Sequence, residues 1–162
     1  MTFQEQAAEL LRSAGVSLFA SARAMPEDKL NWSPMGGART VLQMLQECAY
    51  YLPTLAPWLS AGDGMPERFM AVAGPAMEQS KSWDTLDKVE AAYNGYIEDT
   101  LAVIRAVPDN DLNRDVAVPW AEGETLPVWK VMLTLYWNAV YHLGQINYIQ
   151  TMYGDTEMHS AM

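Results

Sequence analysis

The stretch YWNAVYHLGQINY, Tyr136 to Tyr148, decides how this chain is read. It is apolar and aromatic, yet Asn138 and His142 stand four residues apart in it and Gly144-Gln145 follow. Extended both ways, the pattern runs from about Leu126 to Tyr153. Pro127 falls at or near the first helical position, where a missing N–H costs little. Val128, Val131, Met132, Leu135, Ala139, Ile146 and Ile149 recur at helical spacing and form one stripe. Residues four apart on a helix lie nearly above one another, so Asn138 and His142 share that stripe and are predicted to face inward. Leu133, Tyr136, Trp137, Val140, Gly144 and Tyr148 make a second stripe. A helix apolar nearly all round is central, or covered by a partner as well.

Three more helical patterns lie upstream. The first runs from about Phe3 to Ala24, with Thr2 as its cap and Glu5 three residues on. MPEDKLNWSPMGG breaks it. The second starts at Thr40, whose spacing to Gln43 reads as a capping box, and carries Val41, Met44, Leu45, Cys48, Tyr51, Leu52 and Leu55. Pro53 cannot donate to the carbonyl of Ala49, so it is predicted to kink or end this helix. SAGDGMPERF reads as a loop, and Met70 to Lys81 is ambiguous between helix and irregular chain. The third runs from Asp84, as N-cap, to Val107, with Leu86, Val89, Tyr93, Ile97, Leu101 and Ile104 on its buried side and Pro108 after it. DNDLNRDVAVPWAEGETLP is a connector without clear periodicity, containing a short extended piece around Val116 to Val118. Four long helical patterns and little strand signal predict an all-α, up-down four-helix bundle with long crossover connections. It spans residues 1–155, and a flexible tail occupies 156–162.

A chain of 162 residues suits one domain with one core. Ten Lys and Arg against twenty Asp and Glu leave a net charge of −10, which argues against nucleic acid or an anionic membrane as partner. No apolar run reaches the ~18 residues of a membrane span. The amphipathic opening MTFQEQAAELL lacks the form of a signal peptide, so a cytoplasmic location is expected. Cys48, the one cysteine, forms no internal disulfide. There is no GxSxG, phosphate loop, CxxC or HExxH.

Two segments carry a family resemblance. MPEDKLNWSPMGGARTVLQMLQE has a Trp-x-Pro, then a Ser/Thr-plus-apolar helix start with a polar residue about two turns in. NAVYHLGQINYIQTMYGD is similar to a last helix bearing His-x-x-x-His-x-Gly-Gln. The chain thus resembles the DinB-like (DinB/YfiT) four-helix-bundle superfamily over nearly its whole length. In that family three histidines commonly hold a divalent metal, one from the second helix and two from the last. The last histidine matches His142, the one before it matches Asn138, and the second-helix histidine matches Glu47. The resemblance implies a divalent ion (zinc, nickel, manganese or iron) on Glu47, Asn138 and His142, with Gln145, Tyr51 and Trp32 around it. It also implies a metal-dependent hydrolase or thiol S-transferase acting on a small-molecule or thiol substrate.

On their own terms the residues leave alternatives open. Glu47 offers an anionic oxygen, His142 an imidazole nitrogen, and Asn138 a neutral amide oxygen that suits harder ions. Glu47 lies roughly 90° off its own apolar stripe by the helical repeat, so its side chain could reach inward or lie in solvent. His142 could equally be a core histidine bonded to Glu47, Asn138 or a tyrosine. Gln145 reads as a structural hydrogen-bonding partner, Gly144 as a place of close helix approach, and Cys48 as an inert buried thiol. Trp32, Trp83, Trp120 and Trp137 read as core or interface, with Trp32 and Trp120 placed to line a pocket mouth. Two rival readings stand beside the metal enzyme. One is a non-catalytic dimeric bundle that has lost its metal, and the other is a binder of a small hydrophobic molecule. The aromatic second stripe of the last helix predicts a homodimer in either case.

Overall fold

The computed structural model describes residues 1–60, 65–121 and 123–159, and nearly all of the described chain is helix or short connector. Helix α1 is Phe3–Arg23, a short α2 is Glu27–Leu30, α3 is Val41–Tyr51 and α4 is Leu55–Ser60. Helix α5 is Met65–Ser80 and α6 is Leu86–Arg105. Strands β1 (Asp115–Ala117) and β2 (Thr125–Pro127) precede the long α7, Val128–Met152. No described helix is long and apolar enough to cross a membrane.

The helix starts are local chemistry. The Thr2 hydroxyl accepts from the Glu5 N–H while the Glu5 carboxylate takes the Thr2 N–H. Thr40 and Gln43 repeat the exchange at the head of α3. In both places two orphan donors of the first turn are satisfied reciprocally. At Pro53 the missing N–H leaves the Ala49 carbonyl to the Leu52 N–H, and Leu52–Thr54 tightens into a 3-10 turn before α4 resumes. Side chains collect the carbonyls that this break frees: Thr54 Oγ1 donates to Tyr51 O at 2.6 Å and Thr100 Oγ1 to Leu52 O at 3.1 Å.

Helix α1 packs on α6 and α7, and α3 packs on the same two helices. Helices α1 and α3 therefore lie across the core from each other, as do α6 and α7, and long connections join each of these pairs, whereas α3 packs directly on α6. Leu11, Leu18, Leu45, Leu52, Leu101, Ile104, Met132 and Ile146 lie fully buried between them. Gly15 marks the tightest approach: a Cβ there would stand 2.4 Å from the Tyr93 hydroxyl oxygen.

Several elements differ from the sequence reading. The ambiguous stretch from Met70 to Lys81 is helical as far as Ser80. Its inward residues are Ala73, Ala76 and Ser80, a stripe too short in side chain to stand out. Pro75 sits inside this helix, where both it and Ala71, whose carbonyl loses a donor, are exposed. The expected loop SAGDGMPERF is shorter than read, because α5 begins at Met65; residues 61–64 of it lie outside the described residues. Thr85, not Asp84, caps α6, since its hydroxyl accepts from the Lys88 N–H while Asp84 pairs with the Lys88 ammonium.

The last helix starts at Val128 rather than Leu126. Leu126 instead belongs to an antiparallel hairpin in which Val116 faces Leu126 and Asp115 faces Pro127. Gly123, at φ 78°, lies in its turn. Val128 N–H and Trp129 N–H then donate to the carbonyls of Arg114 and Leu112, so the hairpin satisfies the first turn of α7. After α7, Gly154 at φ 94° ends the helix. Within the expected tail, His159 Nε2 lies 2.8 Å from Asp155 Oδ2 and the Glu157 N–H donates to Asp155 Oδ1, while 160–162 lie outside the described residues.

Candidate functional site

The α3–α7 seam carries a polar cluster set into the apolar interior. Glu47, on the second turn of α3, stands between buried Met44 and Cys48. Its side chain is turned inward, only 13% exposed. Asn138 and His142 project from the facing side of α7, and His142 is buried. Glu47 Oε1 accepts from Asn138 Nδ2 at 3.1 Å and lies 3.1 Å from His142 Nε2. Arg39, just before the Thr40 cap, donates from Nη1 to the second oxygen, Oε2. The other ring nitrogen, His142 Nδ1, lies 2.7 Å from Gln145 Oε1, one turn along α7. Both ring nitrogens thus have a polar side chain within hydrogen-bonding distance, the Gln145 amide on one side and the Glu47 carboxylate on the other.

Cys48 closes the arrangement. Its thiol donates to Asn138 Oδ1 at 3.3 Å, which fixes the amide with its N–H toward Glu47 and its oxygen turned away. Burial, with the Glu47 charge adding to it, pushes this thiol up from its ordinary value, so it remains a donor. For Glu47, burial alone would raise the carboxyl. Hydrogen bonds from His142 and Asn138 and the charge of Arg39 outweigh it and hold the group below the usual carboxylate value.

Two cavities meet at this cluster and share Glu47, Asn138 and Trp137. The first, about 730 Å³, opens toward the start of α7 between Trp58, Phe69, Trp129, Leu133 and Tyr51. Trp58 packs edge-on against Phe69 and Trp120, and its indole N–H is spent on the Ala117 carbonyl at 2.9 Å, so its carbon surface is what remains for the cavity. The second, about 770 Å³, runs toward the end of α7 past Arg39, Tyr141, His142 and Gln145.

The sequence-derived site residues are thus distributed unevenly. Glu47, Asn138, His142 and Gln145 form one bonded chain, and Tyr51 lines the first cavity. Trp32 is elsewhere: it packs half-buried against the core with the Lys29 ammonium 5.7 Å from its ring, and it lines neither of these two cavities. Trp120, mostly exposed, stands at the mouth of the first cavity. The close-approach reading of Gly144 is corrected, since the residue is exposed and a Cβ there would meet nothing within 4 Å. Arg39 and Trp58 were not singled out from the sequence. Arg39 lies in a loop, where no periodicity ties it to Glu47, and Trp58 lies beyond the Pro53 break, which scrambles the helical phase.

The three cluster positions converge as a metal site would, but the donor set does not fit a divalent ion. Among the described residues no group of three or more His, Cys, Asp and Glu is placed to hold one. Asn138 directs an N–H, not its oxygen, at the shared locus, and Arg39 already puts a cation on Glu47. The polarity is inverted. Where a metal would be a cation among lone pairs, the Glu47 carboxylate is an anion among N–H donors.

Comparison with known proteins agrees with this architecture. The sequence profile of the DinB superfamily matches residues 10–146, and the chain belongs to that superfamily. The crystal structure of a DinB-like protein (YjoA) from Bacillus subtilis superposes with a TM-score of 0.64 at 14% identity, covering 97% of this chain and 99% of that one. That likeness is one of fold. No curated protein sequence matches.

Proposed function

We propose that this member of the DinB superfamily binds a small apolar molecule in the aromatic cavity between α3, α5 and α7, without a metal ion, using the Glu47–Asn138 pair as the polar floor. The observation that carries this reading is the first cavity. Its roughly 730 Å³ is of ligand size, most of its lining is Trp, Phe, Tyr, Met and Leu, and Glu47 and Asn138 enter it together at the α3–α7 seam. A metal-dependent hydrolase or S-transferase would need Asn138 turned over and Arg39 withdrawn before Glu47 and His142 could act as ligands. The reading also takes α1, α3–α4, α6 and α7 as an up-down four-helix bundle, supported by the mutual packing of those helices. It takes the protein as a homodimer through the outer face of α7, where Trp137, Tyr141, Tyr148 and Met152 are exposed.

A thermal-shift screen of small aromatic and aliphatic compounds, with and without zinc, nickel and manganese, tests the proposal. The expected result is stabilisation by apolar compounds, unchanged by added metal and abolished by Leu133→Trp, which fills the cavity. Stabilisation that requires metal, or none from any compound, would overturn it.

A further inference from the structure

The polar floor of the first cavity sets the kind of molecule it takes. A carboxylate offers about four lone-pair sites, and Glu47 uses three of them, for Asn138, His142 and Arg39. An amide offers two N–H donors and two lone pairs. Asn138 spends one N–H on Glu47 and one lone pair on Cys48. The floor therefore has a free amide N–H and a free amide lone pair on Asn138, and a free carboxylate lone pair on Glu47 Oε2, the oxygen that Arg39 also holds. A hydroxyl or amide, which both donates and accepts, complements that set. A bare hydrocarbon would leave it unmatched.

Charge decides against the other candidates. Indole walls alone would favour a cation. Here, however, the Arg39 guanidinium already faces the single carboxylate, and Lys130 lines the cavity with its ammonium 5.4 Å from the Trp129 ring centre. An ammonium ligand would enter a locus whose charge is already neutralised, and would lose its hydration against carbon walls. An anionic ligand would be desolvated in the same way, beside the free lone pair of Glu47.

Resting on the ligand-binding reading above, we infer that the cavity selects a neutral, flat apolar molecule bearing one hydroxyl or amide group, bonded at Asn138 and Glu47, and discriminates against its charged analogues. The test is calorimetric titration of four probes of one shape: naphthalene, 2-naphthol, 2-naphthylmethylammonium and 2-naphthoate. The wild-type protein should bind 2-naphthol about ten-fold more tightly than naphthalene, a difference of about 1.4 kcal/mol, and both ions more weakly than 2-naphthol. Asn138→Leu should bring the naphthol-to-naphthalene ratio to about one while naphthalene binding persists, which also reports that the variant is folded. Leu133→Trp, which leaves the floor intact, should remove binding of all four. Equal affinity for naphthol and naphthalene in the wild type, or an ammonium probe that matches naphthol, overturns the inference while leaving a hydrophobic binding site standing. Should Asn138→Leu fail to fold, Thr134→Val serves as the companion variant, changing the wall but not the floor, and its ratio should remain near ten. A ratio that collapses there places the selecting group on the wall and also overturns the inference. Absence of binding by every probe overturns the inference together with the reading beneath it.

Discussion

Replacing Glu47 by alanine removes the acceptor at the centre of the cluster, and the structure sets the size of the effect. His142 is almost wholly buried and would keep its Gln145 partner but lose the carboxylate at Nε2. Asn138 would lose the partner of one N–H. Removing one member of a buried pair costs about 3–5 kcal/mol, and a hydrogen bond to a charged group about 1.5–3 kcal/mol. Two features bring the value toward the lower end. Cavities adjoin Glu47 on both sides, so the orphaned groups can relax toward them. Arg39 is 55% exposed, so its contribution is at most about 1 kcal/mol. The expected cost is about 3 kcal/mol, which for a chain of this size lowers Tm by roughly 6–12 °C. Glu47→Gln, which keeps the shape, reports the charge alone. Because the folded protein holds the carboxyl below its usual value, the stabilisation is fully present above the unfolded-state pKa and is lost as pH falls through the folded one. The stability gap between wild type and Glu47→Gln should therefore be constant near neutrality and close on acidification. Urea unfolding of the three proteins from pH 7 to pH 3 measures it. A cost below about 0.5 kcal/mol for Glu47→Ala, or a gap indifferent to pH, would show that the carboxylate does not anchor the cluster, since surface changes away from such features stay within that range.

The inverted polarity makes a further prediction. The double variant Glu47→His and Asn138→His restores lone-pair donors at both altered positions, and elemental analysis should find close to one equivalent of zinc or nickel in it and only background metal in the wild type. The two glycines separate by sign. Gly15→Ala pushes a methyl into the Tyr93 ring and should lose about 1–3 kcal/mol, whereas Gly144→Ala meets nothing and should gain about 0.5–1 kcal/mol; chemical denaturation reads both. Sedimentation equilibrium should show a dimer that dissociates more readily in a Trp137→Ser, Tyr148→Ser variant, and an unchanged mass would remove the outer face of α7 as the interface.

How much of this was legible in the sequence follows from the range over which each signal acts. Helices α1, α3, α6 and α7 could be read because capping boxes and apolar stripes are local, and one turn of chain contains the whole message. Of the β1–β2 hairpin only the first strand showed, as the extended piece around Val116 to Val118; the pairing with β2 escaped because a three-residue strand is shorter than any alternation that could announce it. Helix α5 was blurred because alanines carry its stripe and a proline interrupts it. The site splits along the same line. That Asn138 and His142 share a face is a four-residue fact. That Glu47, off the centre of its own stripe, turns inward depends on donors 91 and 95 residues away in the chain and on an arginine in a loop. The polarity of the cluster is less local still. Glutamate, asparagine and histidine are all metal ligands as residue types, and only the direction of the Asn138 amide distinguishes a lone pair aimed at the centre from an N–H aimed at it. That direction is set by Glu47 together with the Cys48 thiol, a residue the sequence presents as inert packing. The Glu47 carboxylate can only accept, so it takes the amide N–H, and the buried thiol, kept protonated by its surroundings, donates to the amide oxygen on the other side.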